Sequence, residues 1–165
     1  MNLIQKGSLP NWQCYIEQTF FEKLKLIQWK EIFARLLESN EDQNLSSTQV
    51  LLAFQKYERF LFLIRKYPYV RMVPNQEIDS VLHAHIANIH EFERDCQNLF
   101  SVCLKHLPGF GSGGDAERLE WQLAFSQTQE LFELNYGQGT MGISAAASCE
   151  ILWNCSSFSN LKVVC

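Results

Sequence analysis

The sequence has no surplus of positive charge. Lysine and arginine total 14 against 18 aspartates and glutamates, which gives a formal net charge of −4, and no block of five or six like charges occurs. Nucleic acids and anionic membrane surfaces bind basic surfaces, so this balance argues against both as partners. We therefore expect no generic nucleic-acid binding and no attachment to a membrane surface.

Long apolar runs are also missing. The first residues, "MNLIQKGSLPNWQ", contain no apolar core of a secretory signal. The most apolar stretch, "FLFLIRKYPYV", is interrupted by Arg65 and Lys66 and is too short to span a bilayer. We expect a soluble cytoplasmic protein, and in that reducing compartment the six cysteines should be mostly thiols.

The chain does contain enough apolar residues for a hydrophobic core. Hydrophobic residues make up 47% of the 165 positions, which suits a single domain. They recur at helical spacing up to about residue 137, whereas 138–165 is rich in small residues and shows no sustained period. The sequence predicts an all-α, bundle-like domain of about four to five helices over 1–137. A Cys/Ser-containing tail, extended or partly ordered, follows over 138–165.

The apolar stripes and capping residues define four helical segments. A change of stripe near Gln28 indicates that the first segment, 12–37, is bent or consists of two consecutive helices. The limits predicted for the others are Ser47 or Thr48 to about Tyr67, Asn75 to the "LPGFGSGG" turn, and Asp115 to Gly137.

Three histidines lie in "VLHAHIANIHEFERDC", residues 81–96. His83 and His85 point about 200° apart on a helix, so they cannot bind one ion together. His85 falls in the apolar stripe and is expected in the core. His83 and His106, with a third group, are the candidate metal ligands of the domain. Asp79 is four residues before His83 and could orient its imidazole, although ordinary surface electrostatics is the plainer interpretation of that pair.

The tail carries three of the six cysteines, Cys149, Cys155 and Cys165. Thiolates at these positions could bind a soft metal, but their spacing lacks the close C-x-x-C pairs of structural zinc sites. Alternatively, the tail is the modified segment of a peptide precursor. Its modification candidates are then Cys149, Cys155, Ser156, Ser157 and Cys165. The plainest interpretation is a tail that packs its apolar residues on the helices and keeps inert thiols.

The stretch "VPNQEIDSVLHAHIANIHEFERDCQNLFSVCLKHLPGFG" resembles the helical domain of the glycine-rich domain proteins. The shared pattern includes a Val-Pro pair, an acidic residue, His-x-His, Asp-Cys and a later His-x-Pro, and it covers roughly residues 50–137. The matching positions are Val73, Pro74, Asp79, His83, His85, Asp95, Cys96, Leu99, Phe100, His106 and Pro108. The chain departs at Leu82, Asn88 and Ser101, where the family has tryptophan, commonly aspartate, and glycine. The resemblance implies a helical fold and, in shorter bacterial relatives, a cysteine- and glycine-rich tail.

Three functional hypotheses follow. The first is a non-catalytic helical protein that binds a protein partner or a metal, zinc or copper. The second is a precursor or carrier whose helical domain is the leader recognised by a modifying enzyme. The third is an enzyme with Cys96 as nucleophile and His85 as base. Eleven residues separate that pair, which corresponds to about 16 Å on a straight helix and argues against direct contact.

Overall fold

Six helices and one two-stranded sheet form the part of the chain that the computed structural model describes, residues 11–39 and 46–154. In chain order these are α1 (Asn11–Leu24), α2 (Trp29–Ser39), α3 (Ser47–Lys66), α4 (Gln76–Ile86), α5 (Ile89–Phe100), β1 (Cys103–Pro108), α6 (Asp115–Tyr136) and β2 (Cys149–Asn154). The prediction of a mainly helical fold is confirmed. The prediction of a purely α fold is wrong, because β1 and β2 pair as an antiparallel sheet.

The first helical segment is divided where the apolar stripe changes. α1 ends at Leu24 and α2 begins at Trp29. The Trp29 indole nitrogen donates to the Leu24 carbonyl at 3.1 Å, so one of the carbonyls left unpaired at the end of α1 gains a partner. The second helix then buries Ile32 and Leu36 against the core.

The N-cap of α3 lies one or two residues before the two residues predicted for it. Ser46, rather than Ser47 or Thr48, is the N-cap, and its side chain accepts from the Gln49 backbone nitrogen. The Gln49 side chain accepts in return from the Ser46 backbone nitrogen at 2.9 Å. This reciprocal pair is a capping box, and it satisfies two backbone donors at the helix start.

Replacing Ser46 with alanine should lower the free energy of unfolding by about 1 kcal/mol, because the capping oxygen is lost. The neighbouring Ser47→Ala variant is the matched control, since Ser47 is the first helical residue and is not the cap. Urea denaturation of both variants measures the difference. Equal destabilisation by the two substitutions would contradict the assignment of the cap.

The segment after Asn75 is two helices rather than one. Asn75 caps α4 as predicted, accepting from the Ile78 backbone nitrogen at 3.0 Å. The helix ends at Ile86, however, and Asn88 caps a new helix, α5, by accepting from the Glu91 backbone nitrogen. The apolar stripe continues across this break because both helices face the same core. The turn brings α5 back against α4, which a straight helix could not do.

The residues predicted to finish that helix form a strand instead. α5 ends at Phe100, where Ser101 adopts a left-handed conformation with φ of +61°, and β1 follows. β2 pairs with it in antiparallel register, so that His106 lies opposite Ile151 and Pro108 lies opposite Cys149. The strand β2 comes from the segment 138–165 that the sequence sets apart as a tail. It is part of the folded structure up to residue 154.

The last helix, α6, is anchored by a polar contact inside the core. Its N-cap is Gly114, and Asp115, predicted as the cap, is its first helical residue. Thr128 is fully buried; its hydroxyl accepts from the Val73 backbone nitrogen at 3.1 Å and donates to the Ala124 carbonyl at 2.8 Å. This pairing fixes α6 against the extended connector before α4.

The core lies between the helices and the inner face of the sheet. Its largest fully buried side chains are Tyr57, Phe60, Phe100, Phe132, Ile32, Leu36, Leu61, Leu63, Met72, Ile78, Leu82 and His85. His85 is thus a core residue, as its place in the apolar stripe predicts. Within residues 11–39 and 46–154, no helix has the length and apolar character needed to cross a membrane.

Candidate metal centre

Four side chains that can bind metals converge where α4 meets the sheet. Asp79 lies at the centre: its Oδ1 atom is 3.6 Å from His83 Nε2, 3.6 Å from His106 Nε2 and 3.2 Å from Cys149 Sγ. The rings of His83 and His106 are edge to face with centroids 4.9 Å apart. The oxygen, nitrogen and sulfur ligand atoms of Asp79, His106 and Cys149 all lie within 4.8 Å of one another. We refer to these four residues as the Asp79 cluster.

Secondary structure explains why these residues meet. Asp79 and His83 are four apart on α4 and therefore share one helical face. In the sheet, His106 is opposite Ile151, and Cys149 is two positions before Ile151 on the same strand. His106 and Cys149 are therefore diagonal neighbours on one face of the sheet. The cluster forms because that face of the sheet lies against that face of the helix.

The cluster is buried on one side and open on the other. Cys149 is 2% exposed, and the side chains of His106 and Asp79 are 13% and 21% exposed. The His83 side chain is 60% exposed and lies at the solvent side. His106 Nε2 is itself buried and has no hydrogen-bond partner within the described part of the chain. It lies 3.6 Å from Asp79 Oδ1, beyond hydrogen-bond distance, so a metal ion or an ordered water molecule could satisfy it at this point.

The electrostatics of the cluster favour a cation. Burial acts to raise the pKa of Asp79, but its contacts with His106 and Cys149 and the nearby imidazoles outweigh burial, and the pKa is lowered. Asp79 is therefore a carboxylate. Burial, together with the adjacent Asp79 charge, raises the pKa of Cys149. In the absence of a metal, Cys149 is therefore a neutral thiol, and its S–H group donates a hydrogen bond to Asp79.

The donor set matches a four-coordinate transition-metal site. Imidazole nitrogen, thiolate sulfur and carboxylate oxygen are the ligands that Zn²⁺ takes, at about 2.0–2.3 Å. Around a tetrahedral ion, such ligand atoms lie about 3.3–3.8 Å apart. Two of the measured contacts, at 3.2 and 3.6 Å, are already close to these values. The longest separation, 4.8 Å or less, would have to shorten by about 1 Å through side-chain rotation.

The structure describes some of the residues predicted as metal ligands or modification sites, and others lie outside the described residues. Asp79, expected to orient His83, is placed to be a ligand itself. The remaining metal or modification candidates, Cys155, Ser156, Ser157 and Cys165, lie outside the described residues. Cys149, a candidate for both roles, is buried at the start of β2. In the folded domain a modifying enzyme would not reach it, which weakens the precursor hypothesis at this position.

His85 and Cys96, the residues considered for an enzyme, lie in the core. His85 Nδ1 is 2.9 Å from the Tyr57 hydroxyl, and its Nε2 is 3.2 Å from Asp95 Oδ2. Burial raises the pKa of Cys96 to about 12, whereas a nucleophilic cysteine needs a lowered pKa. The arrangement therefore suits a structural polar network, with His85 satisfied on both ring nitrogens.

Tyr57 and Asp95 are partners of His85 that sequence reasoning did not identify. Burial raises the pKa of Tyr57, so its hydroxyl stays protonated and donates to His85 Nδ1. That leaves the proton of neutral His85 on Nε2, which donates to Asp95. Asp95 does stand in the Asp-Cys pair shared with the glycine-rich domain pattern, which was the available signal. No sequence signal marks Tyr57 as a partner of His85, because its position in an apolar stripe is that of an ordinary core residue.

Comparisons with known proteins give no match. No protein-family model matches the chain, and none of the curated proteins or solved structures matches it. The resemblance to the glycine-rich domain proteins therefore stays a prediction from its motifs.

Proposed function

We propose that this protein is a non-catalytic metal-binding protein and that the Asp79 cluster holds one zinc-class transition-metal ion. The observation that carries the proposal is the convergence of Asp79, His106 and Cys149 within 4.8 Å, where the buried His106 Nε2 has no hydrogen-bond partner among the described residues. His83 is the fourth donor, since its Nε2 lies 3.6 Å from Asp79 Oδ1. Whether the protein also binds a protein partner stays a prediction.

The chemistry of the donors favours zinc over the hard cations. Mg²⁺ and Ca²⁺ prefer oxygen ligands, and here one carboxylate oxygen would be joined by two imidazoles and a thiolate. The charges of the Asp79 carboxylate and the Cys149 thiolate would together balance a divalent ion. Copper binds the same ligand types and is the alternative ion. Four protein donors would leave no position for a substrate, which supports binding rather than catalysis.

Zinc stoichiometry of the purified full chain tests this proposal. We expect about one zinc ion per chain by elemental analysis after dialysis, and an additional mass under native conditions that is lost on denaturation. In Cys149→Ser this zinc should be absent, because serine does not replace a thiolate ligand. Cys103→Ser is the matched control: Cys103 is a thiol on the paired strand, outside the cluster. No zinc in the unaltered protein, or equal zinc in Cys149→Ser, would refute the proposal.

A further inference from the structure

We propose that metal binding at the Asp79 cluster acts as a clamp that controls how firmly strand β2 is held to the domain. This inference rests on the proposed function. It adds to that function a regulatory consequence: occupancy of the site would decide whether β2 opens locally and uncovers the surface beneath it.

The ligands come from three segments that are distant in the chain. Asp79 lies on α4, His106 on β1, and Cys149 is the first residue of β2. A single ion bound by all three closes one loop from 79 to 106 and a second from 106 to 149. Cross-links that close long loops give the largest entropic stabilisation in chain-entropy models. The ion would therefore act as a cross-link between the helix and both strands.

Without the ion, β2 is held by its backbone pairing and by side-chain contacts, among them the Arg71–Glu150 ion pair at 2.7 Å, but, within the described part of the chain, by no larger sheet. It pairs with the single strand β1, and a two-stranded ribbon is only marginally stable in isolation. On its other side, the Ile151 backbone nitrogen donates to the Met72 carbonyl at 3.0 Å. At its start, the Cys149 thiol donates to Asp79 Oδ1 at 3.2 Å. Such a strand is expected to open at a lower free energy than the helical core.

Opening of β2 would uncover apolar surface and a strand edge. Ile151 is 3% exposed and belongs to the core cluster, and the Trp153 ring packs edge to face against Phe100 with centroids 6.1 Å apart. When β2 separates, these contacts are lost and the backbone groups of β1 lose their partners.

Zinc should shift the equilibrium between the closed and the opened β2, because β2 cannot separate from the domain while Cys149 is bound to the ion. The opened state would have to release the ion or keep it with fewer donors. If the opened state binds no zinc, free zinc at about 100 times the dissociation constant lowers the population of the opened state about 100-fold. Other elements can open locally without breaking a contact in the Asp79 cluster, and zinc should not change how often these elements open. α1 is such an element, since its Phe20 ring packs against Phe62 of α3 and Phe100 of α5, and none of its described side chains belongs to the cluster.

Amide hydrogen exchange of the full chain, with and without Zn²⁺, tests the clamp. We expect the β2 amides, including that of Ile151, to exchange about 100-fold more slowly at saturating zinc. Local exchange in α1 should be unchanged. Cys149→Ser should show no zinc effect on β2, whereas Cys103→Ser should behave like the unaltered protein.

The outcomes separate the clamp from the proposed function. Zinc that binds with normal stoichiometry but leaves β2 exchange unchanged would overturn the clamp and leave metal binding intact. A uniform slowing in α1 and β2 would also overturn it, because the ion would then stabilise the whole domain rather than the strand. Failure of zinc to bind at all would overturn both proposals.

Discussion

Replacement of His106 by alanine is expected to weaken zinc binding by more than about 100-fold. Loss of a hydrogen-bond partner of a metal ligand already lowers affinity by about 10- to 100-fold, and loss of the ligand itself should exceed that. His106 is the least replaceable imidazole of the cluster, because its Nε2 is buried and lies 3.6 Å from Asp79 Oδ1, whereas the His83 side chain is 60% exposed. Competition with a zinc-binding indicator measures the change.

Two other histidines provide the comparison for His106. His83→Ala should have a smaller effect, because the exposed His83 completes the site and a water molecule can take its place. His90→Ala is the matched control, since His90 is exposed on α5 and is no member of the cluster. Zinc affinity should therefore be highest in His90→Ala, lower in His83→Ala and lowest in His106→Ala. If His106→Ala retains full affinity, the ion binds elsewhere in the chain.

The sequence predicted the helices better than the connections between them. The break before Trp29 was visible because the apolar stripe rotates there. The break at Asn88 was not, because the stripe continues from Ile78 to Phe100 over both helices. A local signal existed: Asn88 is followed three residues later by Glu91, a pattern typical of a helix N-terminus. The apolar periodicity runs through the turn without a change, so it does not mark the end of α4.

The sheet and the complete cluster depend on long-range pairing. The segment "CLKHLP" becomes a strand because it pairs with residues 149–154, which lie more than 40 positions later. Local propensity carries no information about such a partner. His83, His106 and the tail thiols could be suggested one by one from their chemistry. The geometry that groups Asp79 with Cys149, and excludes His85 and His90, requires the fold.

Replacing His85 with alanine should lower the free energy of unfolding by about 3–5 kcal/mol. The substitution leaves the buried Tyr57 hydroxyl and the Asp95 Oδ2 atom without their contact to His85, although Arg94 still donates to Asp95 Oδ1, and it leaves a cavity. This is a large part of the stability of an ordinary domain, so the milder Tyr57→Phe, expected to cost about 1–3 kcal/mol, is tested beside it. His90→Ala should change stability by less than about 0.5 kcal/mol. Urea denaturation measures all three.

The same network predicts how stability depends on pH. Burial lowers the pKa of His85 and outweighs the contact with Asp95, so the native imidazole is neutral. In the unfolded chain its pKa is about 6.5. Below that pH the unfolded state binds a proton that the native state does not, and the free energy of unfolding falls as pH falls. The slope from this group is at most about 1.4 kcal/mol per pH unit, and it ends at the lowered native pKa.

In metal-free protein, so that zinc release does not contribute, the slope just below pH 6.5 should be shallower in a folded His85→Gln variant, since glutamine does not titrate. An unchanged slope in that variant would show that the native pKa of His85 is not lowered, and this would contradict the neutral hydrogen-bond network.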